Sequence, residues 1–265
     1  MIHYRRLKTI LTRSAPLAVA FSGGVDSTLL LKAAHDTLGE RCCAITVDAP
    51  YHFRQEQEEA ARFARQIGVR HLIIPFDPTT VPDLFNNPPE RCYLCKQALL
   101  KNCFNALQAL PPSHWNLADG STCDDQKAHR PGSRALAELG VRSPLAEAGF
   151  GKQDVRLLSR QLELPNWDRP AQSCLLTRFP HHTNITLQAL QQVEQAETAI
   201  KGLGFSVVRV RSLGTMARLE FEKGELAQAK LPGVCDQLEA ICRNAGFTEV
   251  SLDPAGYRSG SMDQN

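Results

Sequence analysis

The sequence lacks any run close to the roughly 20 apolar residues that a membrane-spanning helix needs. It also lacks a secretory signal, because Arg5 and Arg6 are followed by no apolar core with a small-residue cleavage site. Net positive charge is low, at +2, so a nucleic-acid partner would need a local basic patch. We therefore expect a cytoplasmic protein with no membrane partner, and the charge does not favour a nucleic-acid partner.

Internal repeats and low-complexity tracts are missing, and the composition, 43% hydrophobic and 22% charged, is ordinary for a globular protein. A chain of 265 residues is long enough for two domains with separate cores. Nine cysteines, an odd number in a long chain with no predicted signal, argue against a disulfide framework and for reduced thiols. Some of these thiols are therefore candidates for chemistry.

The stretch from Phe21 to Ser27, FSGGVDS, follows an apolar run and opens an amphipathic one. This pattern predicts a strand, a tight glycine turn and the start of a helix, where unpaired N–H groups and the positive end of the helix dipole attract a phosphate. The glycines permit a positive φ and a close approach to a ligand. The predicted nucleotide-binding residues of this loop are Ser22, Gly23, Gly24, Asp26 and Ser27.

This loop contains no lysine, whereas the Walker loop carries one that reaches the β- and γ-phosphates. We therefore expect the loop to hold a leaving pyrophosphate. Ser-Gly-Gly-Val-Asp-Ser resembles the signature of the PP-loop ATP pyrophosphatases, which cleave ATP between the α and β phosphates and adenylate an oxygen of the substrate. The resemblance implies ATP and Mg²⁺ as cofactors; the alternative is an ordinary strand-turn-helix connection.

Apolar runs and helical patterns alternate after the loop. Cys43 to Val47 is typical of a buried parallel strand, and it ends at Asp48, where open α/β sheets bind ligands, so Asp48 is a further nucleotide-site candidate or a solvated loop residue. Arg54 to Ile67 predicts a helix closed by Gly68, and His71 to Phe76 a third strand. The fold class is therefore α/β, a doubly wound parallel sheet of the PP-loop ATP pyrophosphatase (HUP, adenine nucleotide alpha hydrolase-like) type.

Later segments carry weaker patterns, and the segment from Asn166 to Thr183 carries none and is long for a passive connection, so we expect it to be functional. The remaining elements predicted for the larger domain are a helix at about Glu90 to Leu110, a short strand at Trp115 to Ala118, a turn at Arg130-Pro131-Gly132, a last strand at Val141 to Leu145 and a helix at Lys152 to Leu162.

The sequence pattern changes at Thr186, where apolar residues return at helical spacing and are followed by the alternation typical of strands. We predict a PP-loop domain over residues 1–183 and a small α+β substrate-binding domain over 184–265. The elements predicted for the small domain are a helix from Leu187 to Ile200, strands at Phe205 to Val210, Met216 to Phe221 and Thr248 to Leu252, and a helix at Cys235 to Asn244.

Several short motifs occur in order over nearly the whole chain: Arg91-Cys92-Tyr93-Leu94-Cys95-Lys96, Asp119-Gly120-Ser121, Arg130-Pro131-Gly132, Ser143-Pro144-Leu145, Trp167-Asp168-Arg169-Pro170, Cys174-Leu175 with Arg178, and Gly256-Tyr257-Arg258-Ser259-Gly260-Ser261. Together they resemble the LarE family. The resemblance implies ATP-dependent sulfur transfer onto a pyridinium dicarboxylate mononucleotide, a small-molecule nucleotide substrate, during synthesis of the nickel-pincer nucleotide cofactor of lactate racemase. It also implies a homo-oligomer.

The resemblance adds Asp125, from the paired aspartates, to the nucleotide-binding residues. Two segments depart from the family pattern: Gly120-Ser121-Thr122 stands where Gly-Thr-Asn is usual, and Leu175 to Arg178 with His181-His182 stands where Ala-Ser-Arg and Tyr-Gly are commoner. These departures bear on how the substrate fits more than on adenylation.

Cys174 is the candidate sulfur nucleophile, with Arg178 as a candidate catalytic cation beside it and Arg169 on its other side. A thiolate attacks an acyl adenylate well because it is polarisable and forms near neutral pH beside cations. The alternative is a free cysteine that packs as a small hydrophobic residue.

Two sources of sulfur remain open. In sacrificial LarE proteins the corresponding cysteine forms a thioester with the substrate and gives up its own sulfur, leaving dehydroalanine. In the other route Cys92, Cys95 and Cys174 bind a [4Fe-4S] cluster whose open iron carries a sulfide. Cys92 and Cys95 share a face of the predicted helix, but a single C-x-x-C is also compatible with zinc or with no metal.

Arg209 and Arg211 are two apart on a predicted strand and so point to the same face. Their planar guanidinium groups are suited to hold the phosphate of the substrate, the alternative being a solvated strand face. Glu194 and Glu197 on the preceding helix are expected to be solvated rather than to bind a metal. The rival functions are a PP-loop tRNA thiolase, another PP-loop amidotransferase or synthetase, and a nucleotide sensor without catalysis.

Overall fold

The computed structural model of the protein describes residues 2–112, 114–127, 131–258 and Met262. Their contacts divide them into two compact units: residues up to Val81 with Glu90–Ala171, and Pro82–Pro89 with the residues from Gln172 onward. The predicted boundary after Thr183 lies inside the second unit. No helix in the described ranges has both the length and the apolar character to cross a membrane.

The first unit is built on a parallel sheet of β1 (Leu17–Ala20), β2 (Cys42–Asp48), β3 (Arg70–Pro75) and β4 (Asn116–Ala118), in the order β3-β2-β1-β4. Leu17 and Val19 pack into one apolar cluster and Ala18 into another, because alternate side chains of a strand point to opposite faces. Both faces of the sheet are therefore covered, and the predicted α/β fold class is confirmed.

The helices of the first unit follow the predicted alternation with the strands. Among them α3 ends at Gly68, which has a φ of 84° and donates its N–H to the carbonyls of Ala64 and Arg65, as expected of a left-handed C-cap. The described helices of this unit are α1 (Ile2–Arg13), α2 (Val25–Leu38), α3 (Arg54–Ile67), α4 (Arg91–Gln108), α5 (Cys123–Lys127), α6 (Pro131–Glu138), α7 (Pro144–Ala148) and α8 (Lys152–Gln161).

Two sequence predictions for this unit were wrong. Val141 to Leu145 forms no strand: Arg142 makes an isolated bridge with Ala118, and Pro144 begins α7. Proline lacks the N–H that a sheet needs, and its φ suits the first turn of a helix. Of the turn predicted at Arg130-Pro131-Gly132, Pro131 and Gly132 lie in helix α6 instead, and Arg130 lies outside the described residues.

The second unit contains a three-stranded sheet of β5 (Val208–Leu213), β6 (Met216–Phe221) and β7 (Glu249–Leu252), with β5 and β6 antiparallel and β6 and β7 parallel. Its helices are α9 (Leu187–Lys201), α10 (Leu226–Ala229) and α11 (Pro232–Asn244). The hydroxyl of Thr186 caps α9 by accepting the N–H of Ala189 at 3.1 Å, and α9 packs against β5. The second sheet and its helices form the predicted small α+β architecture.

Candidate active site

The loop between β1 and α2 has the predicted strand-turn-helix geometry. Gly23 has a φ of 75°, and Gly24, in an extended conformation, caps the start of α2. The Ser27 hydroxyl donates to the Gly24 carbonyl at 3.1 Å and lies 3.2 Å from the Ser22 hydroxyl. The hydroxyls of Ser22 and Ser27 therefore lie close to each other at the start of α2, a helix of 14 residues.

Two glycines of this site make close contacts that leave little room for a Cβ. A Cβ on Gly23 would lie 3.1 Å from the Cβ of Ala60 on α3, in addition to the cost of its positive φ. A Cβ on Gly120 would lie 2.9 Å from the backbone nitrogen of Ser27, a distance that real Cβ atoms do not tolerate. The segment after β4 thus packs directly against the first turn of α2, which explains the glycine of the Asp119-Gly120-Ser121 motif.

A cavity of about 390 Å³ opens beside this loop, and all its lining residues belong to the first unit. Some of its lining is apolar and suited to a nucleotide base: Ile45, Val47, Leu99, Leu100 and Cys103. The polar lining is suited to phosphates and a cation: Ser22, Gly24, Asp26, Ser27, Asp119, Asp125 and Lys152. The cavity lies where open α/β sheets bind ligands, beyond the carboxyl ends of the strands.

Lys152, the first residue of α8, supplies the cation that the loop lacks. Its Nζ lies 2.6 Å from Oδ2 of Asp26 and 2.8 Å from Oδ2 of Asp125. Burial favours a lower pKa for Lys152, but its hydrogen bonds and charge interactions with the two aspartates outweigh burial and raise its pKa. Lys152 is therefore a protonated ammonium group in the cavity.

Sequence reasoning missed Lys152 because it is 126 residues from Asp26. The position of Lys152 depends on Asp124 and Asp125, which contact different parts of it. Asp124 accepts the backbone N–H of Lys152 at 2.7 Å, while Asp125 accepts from the side-chain Nζ and from the N–H and hydroxyl of Thr122. Burial favours a raised pKa for Asp125, but these hydrogen bonds and the lysine charge outweigh it and lower the pKa.

Asp119 joins three of the sequence motifs. It accepts the hydroxyl of Ser121 at 2.6 Å and the hydroxyl of Ser143 at 2.7 Å, and Lys96 of α4 donates to it at 3.2 Å. A buried carboxylate is retained because these donors replace its lost hydration. The serines of the Asp-Gly-Ser and Ser-Pro-Leu motifs therefore hold Asp119 in its place in the cavity wall.

Asp48 is not among the residues that line the cavity, although it stands at the predicted end of β2. It is exposed, and its carbonyl accepts the N–H of Phe76 at 2.8 Å. From the following segment His52 lines the cavity instead, and its Nδ1 donates to the Val47 carbonyl at 3.1 Å. Burial lowers the pKa of His52, which favours the neutral imidazole.

Cys174 lies in the second unit, just before a 3₁₀ helix at Leu175–Arg178, and is half-buried. Its carbonyl is 3.3 Å from Nη1 of Arg178, which also donates to the hydroxyls of Ser173 and Thr177, each at 2.7 Å. Arg178 is itself fully buried. Arg178 therefore fixes the chain around Cys174 by hydrogen bonds from the interior of the second unit.

The expectation that Glu197 is solvated was wrong. Glu197 is fully buried, accepts from Arg178 at 2.6 and 3.0 Å, and accepts the backbone N–H of Val210 at 2.9 Å. The sequence held a signal for this, because helical spacing puts Glu197 on the same face of α9 as buried Val193 and Ile200. A carboxylate on an apolar face indicates a buried partner.

Arg209 and Arg211 share a face of β5 as predicted, but that face is buried, so the alternative of a solvated strand face is wrong. Arg211 donates to Glu220 at 2.7 and 2.9 Å and to the Thr177 carbonyl at 2.8 Å. Arg209 stacks 5.0 Å from the ring centre of Tyr257. Burial, followed by the neighbouring charge of Arg178, lowers the pKa of Arg209.

These side chains form a buried charged cluster in the second unit, here called the arginine cluster: Arg178, Arg209, Arg211, Glu197 and Glu220. Within it, Arg178 pairs with Glu197, Arg211 pairs with Glu220, and Arg209 stacks on the ring of Tyr257. Buried charges are retained when partners of this kind replace the water that they lose.

The cysteines differ in reactivity. Burial raises the pKa of Cys42, Cys43, Cys103 and Cys242 to about 12, so these four are poor nucleophiles at neutral pH. Of the three predicted metal ligands, Cys92 is exposed, and Cys95 lies 3.1 Å from the hydroxyl of Tyr51. Within the described ranges, no group of three or more histidine, cysteine or acidic side chains is placed to hold a metal ion.

A covered parallel sheet with a glycine loop and a phosphate-type cavity at its edge defines the class of PP-loop ATP-binding enzymes. In agreement, the family model described as asparagine synthase matches residues 6–94. Over 250 residues, the chain is 34% identical to the pyridinium-3,5-bisthiocarboxylic acid mononucleotide synthase of Lactiplantibacillus plantarum, covering 93% of this chain and 88% of that protein. The chain belongs to the LarE family and is an ATP-dependent sulfurtransferase.

Two further relatives span the chain as fully. An uncharacterised protein of Synechocystis is 40% identical over 248 residues, covering 93% of this chain and 91% of its own length. An uncharacterised protein of Methanocaldococcus jannaschii is 28% identical over 250 residues, covering 93% and 92%. The similarity therefore includes both units and is not limited to the nucleotide-binding part.

Proposed function

We propose that this protein adenylates a carboxylate of a pyridinium dicarboxylate mononucleotide and converts it to a thiocarboxylate, in the synthesis of the nickel-pincer cofactor. The observation that carries the proposal is the cavity of the first unit, where Lys152 faces the glycine loop. The substrate class is taken from the named product of the Lactiplantibacillus plantarum relative, a bisthiocarboxylic acid mononucleotide.

In the adenylation step, the first turn of α2, the hydroxyls of Ser22 and Ser27, and the ammonium of Lys152 bind the β- and γ-phosphates. The substrate carboxylate attacks the α-phosphorus, the bond to the bridging oxygen breaks, and pyrophosphate leaves as the acyl adenylate forms. When bound, Mg²⁺ supplies charge that offsets the phosphates. Asp26 and Asp125 are suited to bind Mg²⁺, because both offer carboxylate oxygens as ligands and both already contact one cation, the ammonium of Lys152.

The test is release of pyrophosphate from MgATP in the presence of the mononucleotide substrate, with AMP and thiocarboxylate measured in the same reaction. We expect pyrophosphate only when the substrate is present. No pyrophosphate with any acceptor would instead identify a nucleotide sensor. Strongly salt-dependent tRNA binding, with tRNA-dependent pyrophosphate release, would identify a tRNA thiolase.

Replacing Lys152 with alanine should weaken MgATP binding by about tenfold or more, because a charge-assisted hydrogen bond is worth about 1.5–3 kcal/mol. Isothermal titration with a non-hydrolysable ATP analogue measures the change. Lys32→Ala is the matched control, since Lys32 also pairs with an aspartate, Asp36, but lies outside the cavity lining. Equal affinities for Lys152→Ala and the wild type would contradict the assigned role.

For sulfur insertion we propose Cys174 as the nucleophile and Arg178 as the residue that positions it. The Cys174 thiolate attacks the acyl carbonyl, the carbonyl–oxygen bond to AMP breaks, and a thioester forms. In the sacrificial route a base then removes the Cα proton of Cys174 and the Cβ–S bond breaks. The sulfur leaves with the substrate as a thiocarboxylate, and residue 174 becomes dehydroalanine.

The alternative source is a sulfide on a [4Fe-4S] cluster bound by Cys92, Cys95 and Cys174. The position of Cys92 and Cys95 three apart on α4 favours it, because residues at this spacing are neighbours on a helix. The described residues carry no assembled group of three ligands, and a cluster needs one. Iron and sulfide analysis after anaerobic reconstitution decides, and an iron-free protein that still transfers sulfur excludes this source.

We further propose that Arg209 and Arg211 bind the phosphate of the substrate, because they share one face of β5 and planar guanidinium groups suit a phosphate. The mononucleotide is then expected to bind at least about tenfold more tightly than the corresponding nucleoside without phosphate, because a charge-assisted pair contributes about 1.5–3 kcal/mol. Titration of both ligands measures the difference. Equal affinities would show that the cluster is purely structural.

A further inference from the structure

Asn166, in the segment after α8, reaches back to the glycine loop. It is 3% exposed, and its Nδ2 donates to the carbonyl of Gly23 at 2.7 Å and to the hydroxyl of Thr28 at 2.9 Å. These partners are 143 and 138 residues away in sequence. No other residue among the described contacts holds the Gly23 carbonyl by a side chain.

The peptide bond between Gly23 and Gly24 is trans and planar, so its C=O and N–H point in opposite directions. A donor that holds the Gly23 carbonyl therefore also sets the direction of the Gly24 N–H. Gly24 lines the cavity, and its N–H donates to the Ser22 hydroxyl at 3.4 Å. Because Ser22 also lines the cavity, this N–H is directed to the side of the loop where pyrophosphate is expected.

Glycine on both sides of this peptide makes its orientation easy to change, because neither residue has a Cβ to restrict φ and ψ. A flipped peptide would direct the carbonyl oxygen, rather than the N–H, towards the phosphates. An electronegative oxygen there would repel the anion that the N–H attracts. The loop sequence alone therefore does not guarantee a phosphate-binding orientation.

The segment that carries Asn166 is held firmly in place. Arg156 of α8 donates to the carbonyls of Trp167 at 3.3 Å and Arg169 at 2.9 Å, and Arg169 forms an ion pair with Glu59 of α3. The residues that directly follow Asn166 are therefore fixed by contacts with α8 and α3. The amide is presented by a constrained backbone rather than by a mobile loop.

We propose that Asn166 is a positioning residue that locks the Gly23–Gly24 peptide with its N–H towards the pyrophosphate of ATP. This inference rests on the proposed ATP site. It predicts a selective effect: the pyrophosphate part of the ligand depends on Asn166, and the adenosine part does not.

The test compares Asn166→Leu and Asn166→Ala with the wild type by isothermal titration of magnesium pyrophosphate and, separately, adenosine. Both variants should bind pyrophosphate about tenfold more weakly, which corresponds to about 1.4 kcal/mol, because the Gly24 N–H is no longer held towards the anion, and adenosine with unchanged affinity. Thr28→Val is the matched control: it removes the second partner of Asn166 but leaves the bond to Gly23, so pyrophosphate affinity should be retained.

The outcomes separate the two proposals. A wild-type protein that binds neither MgATP nor pyrophosphate would overturn the proposed function itself. Normal wild-type binding with unchanged pyrophosphate affinity in both Asn166 variants would overturn only the role of Asn166. Equal losses for pyrophosphate and adenosine, with a lowered melting temperature, would also overturn it, because they would show that Asn166 acts only on the folding of the cavity.

Discussion

Replacing Cys174 with alanine is expected to abolish thiocarboxylate formation while the release of pyrophosphate from ATP continues. The residues that line the proposed ATP site all belong to the first unit, whereas Cys174 belongs to the second. The variant should therefore accumulate acyl adenylate or its hydrolysis products. Pyrophosphate is measured by a coupled assay and the thiocarboxylate by mass spectrometry in the same reaction.

Cys235→Ala is the matched control, because Cys235 is another half-buried cysteine of the second unit but donates its thiol to the Ala229 carbonyl. It should transfer sulfur normally. Thiocarboxylate formation by Cys174→Ala at the wild-type level would refute the role of Cys174 as nucleophile.

The intact mass of the wild type, before and after anaerobic turnover with MgATP and the mononucleotide, then identifies the sulfur source. A loss corresponding to H₂S at Cys174 would establish the sacrificial route and a single turnover per protein. An unchanged mass, with AMP and thiocarboxylate formed, would show that the sulfur comes from elsewhere and would make Cys92 and Cys95 the next residues to test.

Replacing Glu197 with glutamine is expected to lower the stability of the second unit by about 3–5 kcal/mol, the usual cost of removing one partner from a buried ion pair. Both side chains of the Arg178–Glu197 pair are fully buried, so the buried guanidinium would lose the charge of Glu197. Hydrogen exchange of the α9 amides measures the change directly.

The control is Glu239→Gln, which removes one partner of an ion pair whose side chains are 57% and 51% exposed and should change exchange little. Both tryptophans, Trp115 and Trp167, belong to the first unit, so their fluorescence reports on that unit and should be unaffected. Unchanged α9 exchange in Glu197→Gln would show that the pair contributes no stability.

Much of the first unit could be predicted from the sequence. The glycine loop and the C-cap of α3 could be predicted because each depends on residues that are close together in the sequence. The wrong strand at Val141 to Leu145 shows the limit of such reasoning. An apolar pattern that short is compatible with a strand or with a helix turn, and the proline at 144 was the informative residue.

The candidate site was predicted only in part. Four of the five loop residues, Ser22, Gly24, Asp26 and Ser27, line the cavity, whereas Gly23 and Asp48 do not. Lys152 and Asn166 contact that loop from far along the chain. In the second unit, Arg209 and Arg211 share the predicted face, while their burial against Glu220 and Thr177 could not be derived from the strand pattern. Periodicity indicates which face a residue occupies, but it does not identify the partner on that face.

The sequence by itself determined the strand-turn-helix of the PP-loop, the α/β order of the first unit and the family motifs, because each depends on neighbouring residues. Only the tertiary structure decided that Lys152 pairs with Asp26 beside the glycine loop, that the amide of Asn166 holds the Gly23 carbonyl, and that Arg178 is paired and buried with Glu197. These are contacts between segments distant in sequence. They form only when packing brings the segments together, and burial then makes the pairing of their charges and hydrogen bonds obligatory.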